Sequence, residues 1–416
     1  MRNRSGWWVI ILIMILLDIY VFQAVKALAS GASEKTKMIV YSIYWTLSFA
    51  SMLFILLMPL FETNTWPKTL RNYFFAIVLG LFIAKLLSAI FFLLDDVRRL
   101  FTWVLSKMIP EDPGETKISS EWNLSRSAFL SWMGFAVGGS MFSLLVYGFS
   151  NKYNYQVRRL KLVFSNLPAG FKGLKIVQIS DVHSGSFTNK KAVQHGVDMV
   201  LKENADLILF TGDLVNDRYE EMHNYTDLFR QLKAPMGVYS TLGNHDYGDY
   251  VQWDSPEQKK ANLESLKQLQ QQMGWKLLMN EHVALERNGD EIALIGIENW
   301  SARKGFSRYG KMSKAYPGSE KYPFKILMSH DPTHWEAEVR TKYPDIDLTL
   351  AGHTHGMQFG VETPFMKWSP VQWVYKQWAG LYEEEKQKLY VNRGYGFIGY
   401  PGRVGILPEI TVIELV

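Results

Sequence analysis

The chain has 416 residues, with 45 Lys and Arg against 40 Asp and Glu, a formal net charge of +5. So mild an excess argues against a dedicated nucleic-acid binder, whose affinity depends on a strongly basic surface. The absence of cysteine excludes disulfides, thiolate catalysis and cysteine-ligated zinc, so any metal centre must be built from His, Asp, Glu or Asn.

Residues 1–150 differ from the rest. Trp7–Val25, Met38–Phe61, Tyr73–Leu94 and Ser127–Phe149 are apolar stretches near the ~20 residues a helix needs to cross the hydrocarbon of a bilayer. They lack the polar face of a soluble bundle helix. Together they predict a transmembrane region of four helices, a multi-pass protein of the cell (inner) membrane, and membrane lipids as partners. The first stretch is not a cleaved signal on this reading, because three more spans follow it. Lysines and arginines near the span ends divide evenly between the two sides, so the positive-inside rule leaves the side of the remaining chain open. Asp18 and Lys85 lie at similar depth in the first and third spans. Charges in hydrocarbon are costly and find partners, which predicts an ion pair between them; the alternative is that each snorkels separately to the interface.

Residues 151–172 read as a linker, and 173–416 as one domain. GLKIVQIS (173–180) is an apolar run, followed by helical spacing in KAVQHGVDMVLKEN (191–204). DLILFTG (206–212) is the next strand, then a polar helical segment near Tyr219–Leu232, then a third strand in MGVYSTLG (236–243). SPEQKKANLESLKQLQQQMG (255–274) predicts a long helix with Ser255 as cap, Pro256 at its first position and Gly274 as its stop. EIALIGI, FKILMSH, LTLAGH, KLYVNRG and TVIEL supply further strands. Strands alternating with helices indicate a layered α/β fold.

The strand exits carry the chemistry. The first ends in Asp181 and His183, the second in Asp213, the third in Asn244, His245 and Asp246. Later ones end in His330 and in His353 with His355. Of nine histidines, five fall at these exits, while His195, His223, His282 and His334 read as ordinary surface or helix residues. Strand exits on one sheet edge converge, and such edges bind ligands. Imidazole and carboxylate together suit a pair of divalent or trivalent first-row ions, Mn, Fe or Zn, better than Ca or Mg. Asp-x-His and His-x-His put both side chains of each pair on one face of an extended segment. Glycines at 212, 243 and 352 precede ligands and let the backbone turn sharply.

The blocks DVH, GD, GNHD, H and GHTH, in that order over Gly173 to Leu415, resemble the calcineurin-like metallophosphoesterases, in particular their membrane-associated bacterial YkuE-like type. The resemblance implies a four-layer α/β/β/α domain, a β-sandwich flanked by helices. It implies that Asp181, His183 and His355 hold one metal, that Asn244, His330 and His353 hold the other, and that Asp213 bridges them. It further implies hydrolysis of a phosphoester or pyrophosphate bond by a hydroxide shared between the ions. His245 would bind the phosphoryl oxygen and protonate the leaving group, with Asp246 orienting its imidazole. Where the family often has a second Asp in the GD block, this chain reads GDLVND, with Asn216 then Asp217.

Two further segments bear on the substrate. One is the basic stretch 299–323, with Arg303, Lys304, Arg308, Lys311, Lys314 and Lys321; the other is 365–382, with Trp368, Trp373, Tyr375 and Trp378. Clustered cations favour anionic headgroups and Trp and Tyr favour the membrane interface. With four spans, they point to a phosphorylated or pyrophosphate-linked lipid as substrate. A solvated loop and a flap packed on the sheet are the alternatives for these two segments. For the whole chain, the alternatives are a membrane transporter, which leaves the clustered ligands unexplained, and a non-catalytic metal-binding scaffold, which has no need of His245.

Overall fold

The computed structural model describes residues 5–57, 68–108 and 120–416, with side chains described from residues 8, 70 and 128 onward in those three stretches. Residues 58–61 of the second expected span lie outside the described residues. The chain divides into two compact units, Met1–Tyr147 and Gly148–Val416.

The first unit contains four long helices: α1 (Ser5–Leu28), α2 (Glu34–Leu57), α3 (Lys68–Met108) and α4 (Ser120–Gly148). All four contain stretches long and apolar enough to cross a membrane. Leu16, Phe49 and Leu93 stand more than half exposed, the arrangement of helices that face lipid. The ion pair expected from the sequence forms: Lys85 Nζ donates to Asp18 Oδ1. Ser48 Oγ donates to the same carboxylate oxygen at 2.9 Å, and Tyr44 OH donates to the Asp18 carbonyl at 2.8 Å. The pair is therefore one part of a polar cluster that ties together α1, α2 and α3. Helix α3 runs 41 residues, about 60 Å at 1.5 Å per residue, well beyond the span expected to end at Leu94. It passes through DDVRR because Arg98 and Arg99 bond back to Asp95 one turn earlier, at 2.9 and 2.8 Å, a spacing that supports helix.

The second unit holds two six-stranded sheets. The first contains β1 (Gln156–Leu162), β2 (Lys175–Ile179), β3 (Leu207–Phe210), β4 (Val238–Ser240) and β5 (Lys276–Leu277). The second contains β6 (Glu281–Arg287), β7 (Asp290–Gly296), β8 (Lys325–Met328), β9 (Leu348–Ala351), β12 (Gly380–Glu384) and β13 (Gln387–Val391); β10 (Val361–Glu362) and β11 (Lys367–Trp368) form a separate hairpin. The last strand, β14 (Glu409–Leu415), joins the first sheet, whose order is β1-β14-β2-β3-β4-β5; the second runs β12-β13-β9-β8-β7-β6.

Alternation along these strands builds the layers. Ile176, Leu207, Leu209 and Ile413 of the first sheet meet Leu294, Ile326, Met328 and Leu348 of the second in one core between the sheets. Their neighbours Val177, Ile208 and Phe210 point the other way, as a period of two requires. There they pack under α5 (Lys190–Lys202) and α6 (Pro256–Gln272), through Val193, Val197, Leu266 and Leu269. On the far side, Ala293, Ile295 and Leu327 pack under Trp335 and Val339. Each such buried side chain contributes roughly 1.5–3 kcal/mol, and the result is the α/β/β/α sandwich. Ser255 caps α6 by accepting from Gln258 N, and Pro256 opens it. The segment near 219–232 is a one-turn 3-10 helix, Tyr219–Met222, and a short helix, Thr226–Phe229, not the single helix its sequence suggests.

Residues 151–172 are not a plain linker. QVRRLKL forms β1, which pairs in parallel with β14 from Gln156↔Glu409 to Leu162↔Leu415. Local composition did not reveal this strand because its partner lies at the other end of the chain.

Candidate active site

Strands β2, β3 and β4 run parallel in the first sheet, and β8 and β9 run parallel in the second. Their exits bring the sequence-selected residues together. Asp181, His183 and His355 form one group and Asp213, His330 and His353 a second, the ligand atoms within each lying no more than 4.8 Å apart. Asp213 lies near a member of each group: its Oδ2 is 3.1 Å from His330 Nε2 and 3.5 Å from His183 Nε2. His355 Nε2 lies 3.3 Å from Asp181 Oδ1. Asn244 joins the second group through Oδ1, 3.2 Å from His330 Nε2, while its amide Nδ2 donates to Tyr250 OH at 2.8 Å. That hydrogen bond turns the amide so that the oxygen faces the centre.

The backbone is bent to present these groups. Asp181, His183, Asp213, His353 and His355 have φ of 53, 49, 61, 72 and 50°. The left-handed region costs a non-glycine residue roughly 1–2 kcal/mol, and such strain gathers where a site demands it. Of the glycines before ligands, Gly212 makes its turn with φ 100°. Gly243 and Gly352 are needed for a different reason, which is room. A Cβ would lie 2.2 Å from Asp213 Oδ1 at the first and 2.2 Å from Asp181 Oδ2 at the second.

Electrostatics follow from burial and crowding. Burial opposes charge on His183, His353 and His355 and holds all three below the usual imidazole range. His330 resists the same burial: the Asp213 carboxylate beside it pushes its pKa up to about 10. Burial would raise Asp213, yet the imidazoles of His330 and His245 hold it well below the carboxylate range. A carboxylate pair buried among imidazoles fits a cation. So does His355 Nε2, which is buried 3.3 Å from Asp181 Oδ1 yet makes no hydrogen bond to it, since a ring nitrogen left unsatisfied in the interior is costly. The donor set is nitrogen and oxygen only, as Mn, Fe or Zn take.

His245 and Asp246 part company with the reading that paired them. His245 Nδ1 lies 2.7 Å from the carbonyl oxygen of Asn216, to which it donates, leaving Nε2 for another partner. Asp246 is fully buried and accepts only backbone N–H groups. Gly243 and Asp213 donate to Oδ2 at 2.8 and 2.9 Å, and Leu214 and Val215 to Oδ1 at 2.8 and 3.3 Å. It therefore ties together the two loops that carry Asp213 and Asn244 and does not orient His245, whose Nδ1 is taken by the Asn216 carbonyl. Burial and the nearby charge of Asp213 push its pKa up to about 7.

Several site residues lay outside the sequence-selected set. His330 Nδ1 donates to the carbonyl of Thr211 at 2.7 Å, which frees Nε2 as the ligand atom. His353 Nε2 meets Tyr375 OH at 2.8 Å and stands 3.6 Å from Asp331 Oδ2, which leaves Nδ1 to face the centre. Asp331 directly follows His330, a position that could have marked it. The buried Arg403 guanidinium stands 3.1 Å from His355 Nδ1 and donates to the carbonyl of Arg393 at 2.7 Å; burial lowers its pKa to about 9. Phe306 and Tyr250 lie against His353 and His245, with ring centroids 5.1 and 4.5 Å away. The basic and aromatic segments also meet here. The Arg303 guanidinium sits 4.9 Å from the Tyr375 ring centroid and donates to the Val374 carbonyl at 2.6 Å. His334, read as an ordinary surface or helix residue, is buried and hydrogen-bonded to Ser329 Oγ at 2.9 Å.

Residues 1–152 match the four-span family described as "Probable Calcineurin-like phosphoesterase, transmembrane domain", and residues 174–357 match the family "Calcineurin-like phosphoesterase". The metallophosphoesterase YkuE of Bacillus subtilis (strain 168) is 30% identical over 303 residues, which cover 70% of this chain and 98% of that protein. A zebrafish (Danio rerio) "Transmembrane protein with metallophosphoesterase domain" is 31% identical over 280 residues, 65% of this chain. The chain spans about 60% of that zebrafish relative's length. Four membrane helices, strand exits that gather both ligand groups, and a match running nearly the whole length of YkuE lead to one assignment: the chain belongs to the calcineurin-like metallophosphoesterase family.

Proposed function

We propose that the chain is a metal-dependent phosphoesterase that uses two metal ions and hydrolyses a phosphoester or pyrophosphate bond on a lipid-linked or membrane-proximal substrate. The observation that carries this reading is the position of Asp213 Oδ2 between His330 at 3.1 Å and His183 at 3.5 Å, where one carboxylate can serve both ligand groups. Asp181, His183 and His355 would hold one ion; Asn244, His330 and His353 the other. When bound, the ions supply positive charge against the phosphoryl oxygens and a nucleophile from water.

The protein's own residues do the rest. His245, with Nδ1 fixed on Asn216, offers Nε2 to a substrate oxygen and passes its proton to the leaving group. Asp246 holds the loops that carry Asp213 and Asn244. Arg303, at the rim on Tyr375, supplies a guanidinium suited to a second phosphate. The lipid part of the reading rests on the membrane anchor together with the aromatic and basic segments beside the site. The test is a screen of lipid phosphates, lipid-linked pyrophosphates and soluble nucleotides with Mn, Fe or Zn, using wild type and Asn244→Ala, with and without chelator. Chelator-sensitive cleavage of a lipid phosphate is the expected result. Cleavage of soluble nucleotides far faster than any lipid would remove the lipid substrate.

A further inference from the structure

The chain following His355 puts apolar side chains into solvent to a degree found nowhere else in its domain. In Gly148–Val416 the large hydrophobic residues that stand exposed number ten, and six of them are Met357, Val361, Phe365, Met366, Trp373 and Val374. Scattered singly, such residues need no explanation; gathered in one segment, they mark a binding surface. Phe365 is 98% exposed and Trp373 74%.

The segment is built, not loose. Strands β10 and β11 pair Val361 with Trp368 and Glu362 with Lys367. Thr363 closes the tip: its backbone N–H donates to the Met366 carbonyl at 2.8 Å, and its Oγ1 accepts from Phe365 and Met366 N–H at 3.3 and 3.1 Å. The root is clamped by Glu362, which takes Arg393 NH2 at 2.6 Å and Arg158 NH2 at 2.7 Å. Ser369 Oγ donates to the Gly356 carbonyl at 2.9 Å, and the Trp368 and Trp373 rings meet edge-on at 5.9 Å. Backbone and root are thus held at many points, while the ring of Phe365 is given nothing to pack on.

We infer that residues 357–374 form a membrane-docking surface, with the Phe365 tip and Trp373 entering the interfacial layer of a lipid bilayer. The occupant follows from the chain itself. Helix α4 ends at Gly148 and β1 begins at Gln156, so residues 149–155 alone tether this domain to a membrane anchor, and a bilayer is always within its reach. Trp settles at the membrane–water boundary, and Phe on an amphipathic surface buries its ring at the headgroup–acyl edge. The inference goes beyond the proposed activity, since it needs the anchor and not a lipid substrate.

The absence of cysteine makes the test direct. Phe365→Cys, Trp373→Cys and, on exposed α6, Glu264→Cys each receive one environment-sensitive fluorophore in the full chain, reconstituted in nanodiscs of phosphatidylethanolamine and phosphatidylglycerol. Lipids carrying a doxyl quencher on the acyl chain are then introduced. The expected result is a blue-shifted emission and its loss to quencher at 365 and 373, with neither at 264. Unquenched labels at 365 and 373, or equal quenching at 264, overturn the inference. So does shielding that appears only when a second labelled copy is present, or only with an added protein. Quenching without cleavage of any lipid phosphate would leave docking standing and remove the lipid substrate. Lipid cleavage without quenching would do the reverse.

Discussion

The hydroxyl of Tyr375 stands 2.8 Å from His353 Nε2, so the aromatic segment reaches back to a ligand of the candidate centre and fixes its ring. A hydrogen-bonding partner of this kind sets which ring nitrogen faces a metal. Tyr375→Phe keeps the ring and removes the hydroxyl. We expect metal affinity at the site of His330 and His353 to fall roughly 10–100-fold, measured by competition with a chromogenic chelator, with the fold unchanged by circular dichroism.

His245 and Asp246 are adjacent in sequence but differ in task, and the two substitutions separate them. His245→Gln should lower kcat by roughly 10²–10⁴-fold with the metal content unchanged. The loss should shrink on an ester whose leaving group needs no proton, such as a nitrophenyl phosphodiester. Asp246→Ala leaves buried N–H groups of Gly243, Asp213, Leu214 and Val215 without their acceptor, each worth about 1–3 kcal/mol. It should lower the melting temperature and the metal content together. An Asp246→Ala protein as stable and as metal-loaded as wild type would contradict this assignment.

Metal binding should be steeply pH-dependent, and the sign is fixed by His330. Its pKa, pushed up to about 10 by Asp213 against the pull of burial, means that the metal-free protein carries a proton there at neutral pH. A cation needs the lone pair of Nε2 and must displace that proton. Affinity should therefore rise about tenfold per pH unit through neutrality and level off near the His330 pKa. His183, His353 and His355, held low by burial, are already neutral and release nothing. Calorimetry in buffers of different ionisation enthalpy, at a pH above the Asp246 pKa of about 7 and below that of His330, should find close to one proton released on loading the site; uptake, or none, would refute it.

In the membrane region, Asp18 is 2% exposed and bonded to Lys85. Lys85→Met strands a buried carboxylate, a change worth about 3–5 kcal/mol. Asp18→Asn with Lys85→Met should recover most of that, and a double-mutant cycle on detergent unfolding should show the coupling. Additive single effects would mean that the two charges act separately.

What the sequence disclosed was local. Each candidate ligand follows a short β-prone apolar run closed by a turn residue, so Asp181, Asp213, Asn244, His330 and His353 announced both their strand and its exit. The bend-forming role of Gly212 was legible for the same reason. Gly243 and Gly352 looked alike but serve by leaving space for Asp213 and Asp181, which only the folded arrangement shows. Tyr375 and Arg403 act on histidines distant in sequence, and β1 needs β14; no periodicity encodes a partner that far away. Asp246 was misjudged because proximity in sequence to His245 says nothing of which backbone N–H groups would close around its carboxylate.

β14 sits between β1 and β2 and bonds to both. During synthesis β1 leaves the ribosome soon after the fourth span, yet it has no neighbour until residues 409–415 follow. Through the whole translation of the domain, the inner edges of β1 and β2 stay bare, an invitation to wrong pairing. Until residues 409–415 are made and inserted between them, β1 and β2 cannot join one sheet, so the first sheet closes only after the second has all its strands available.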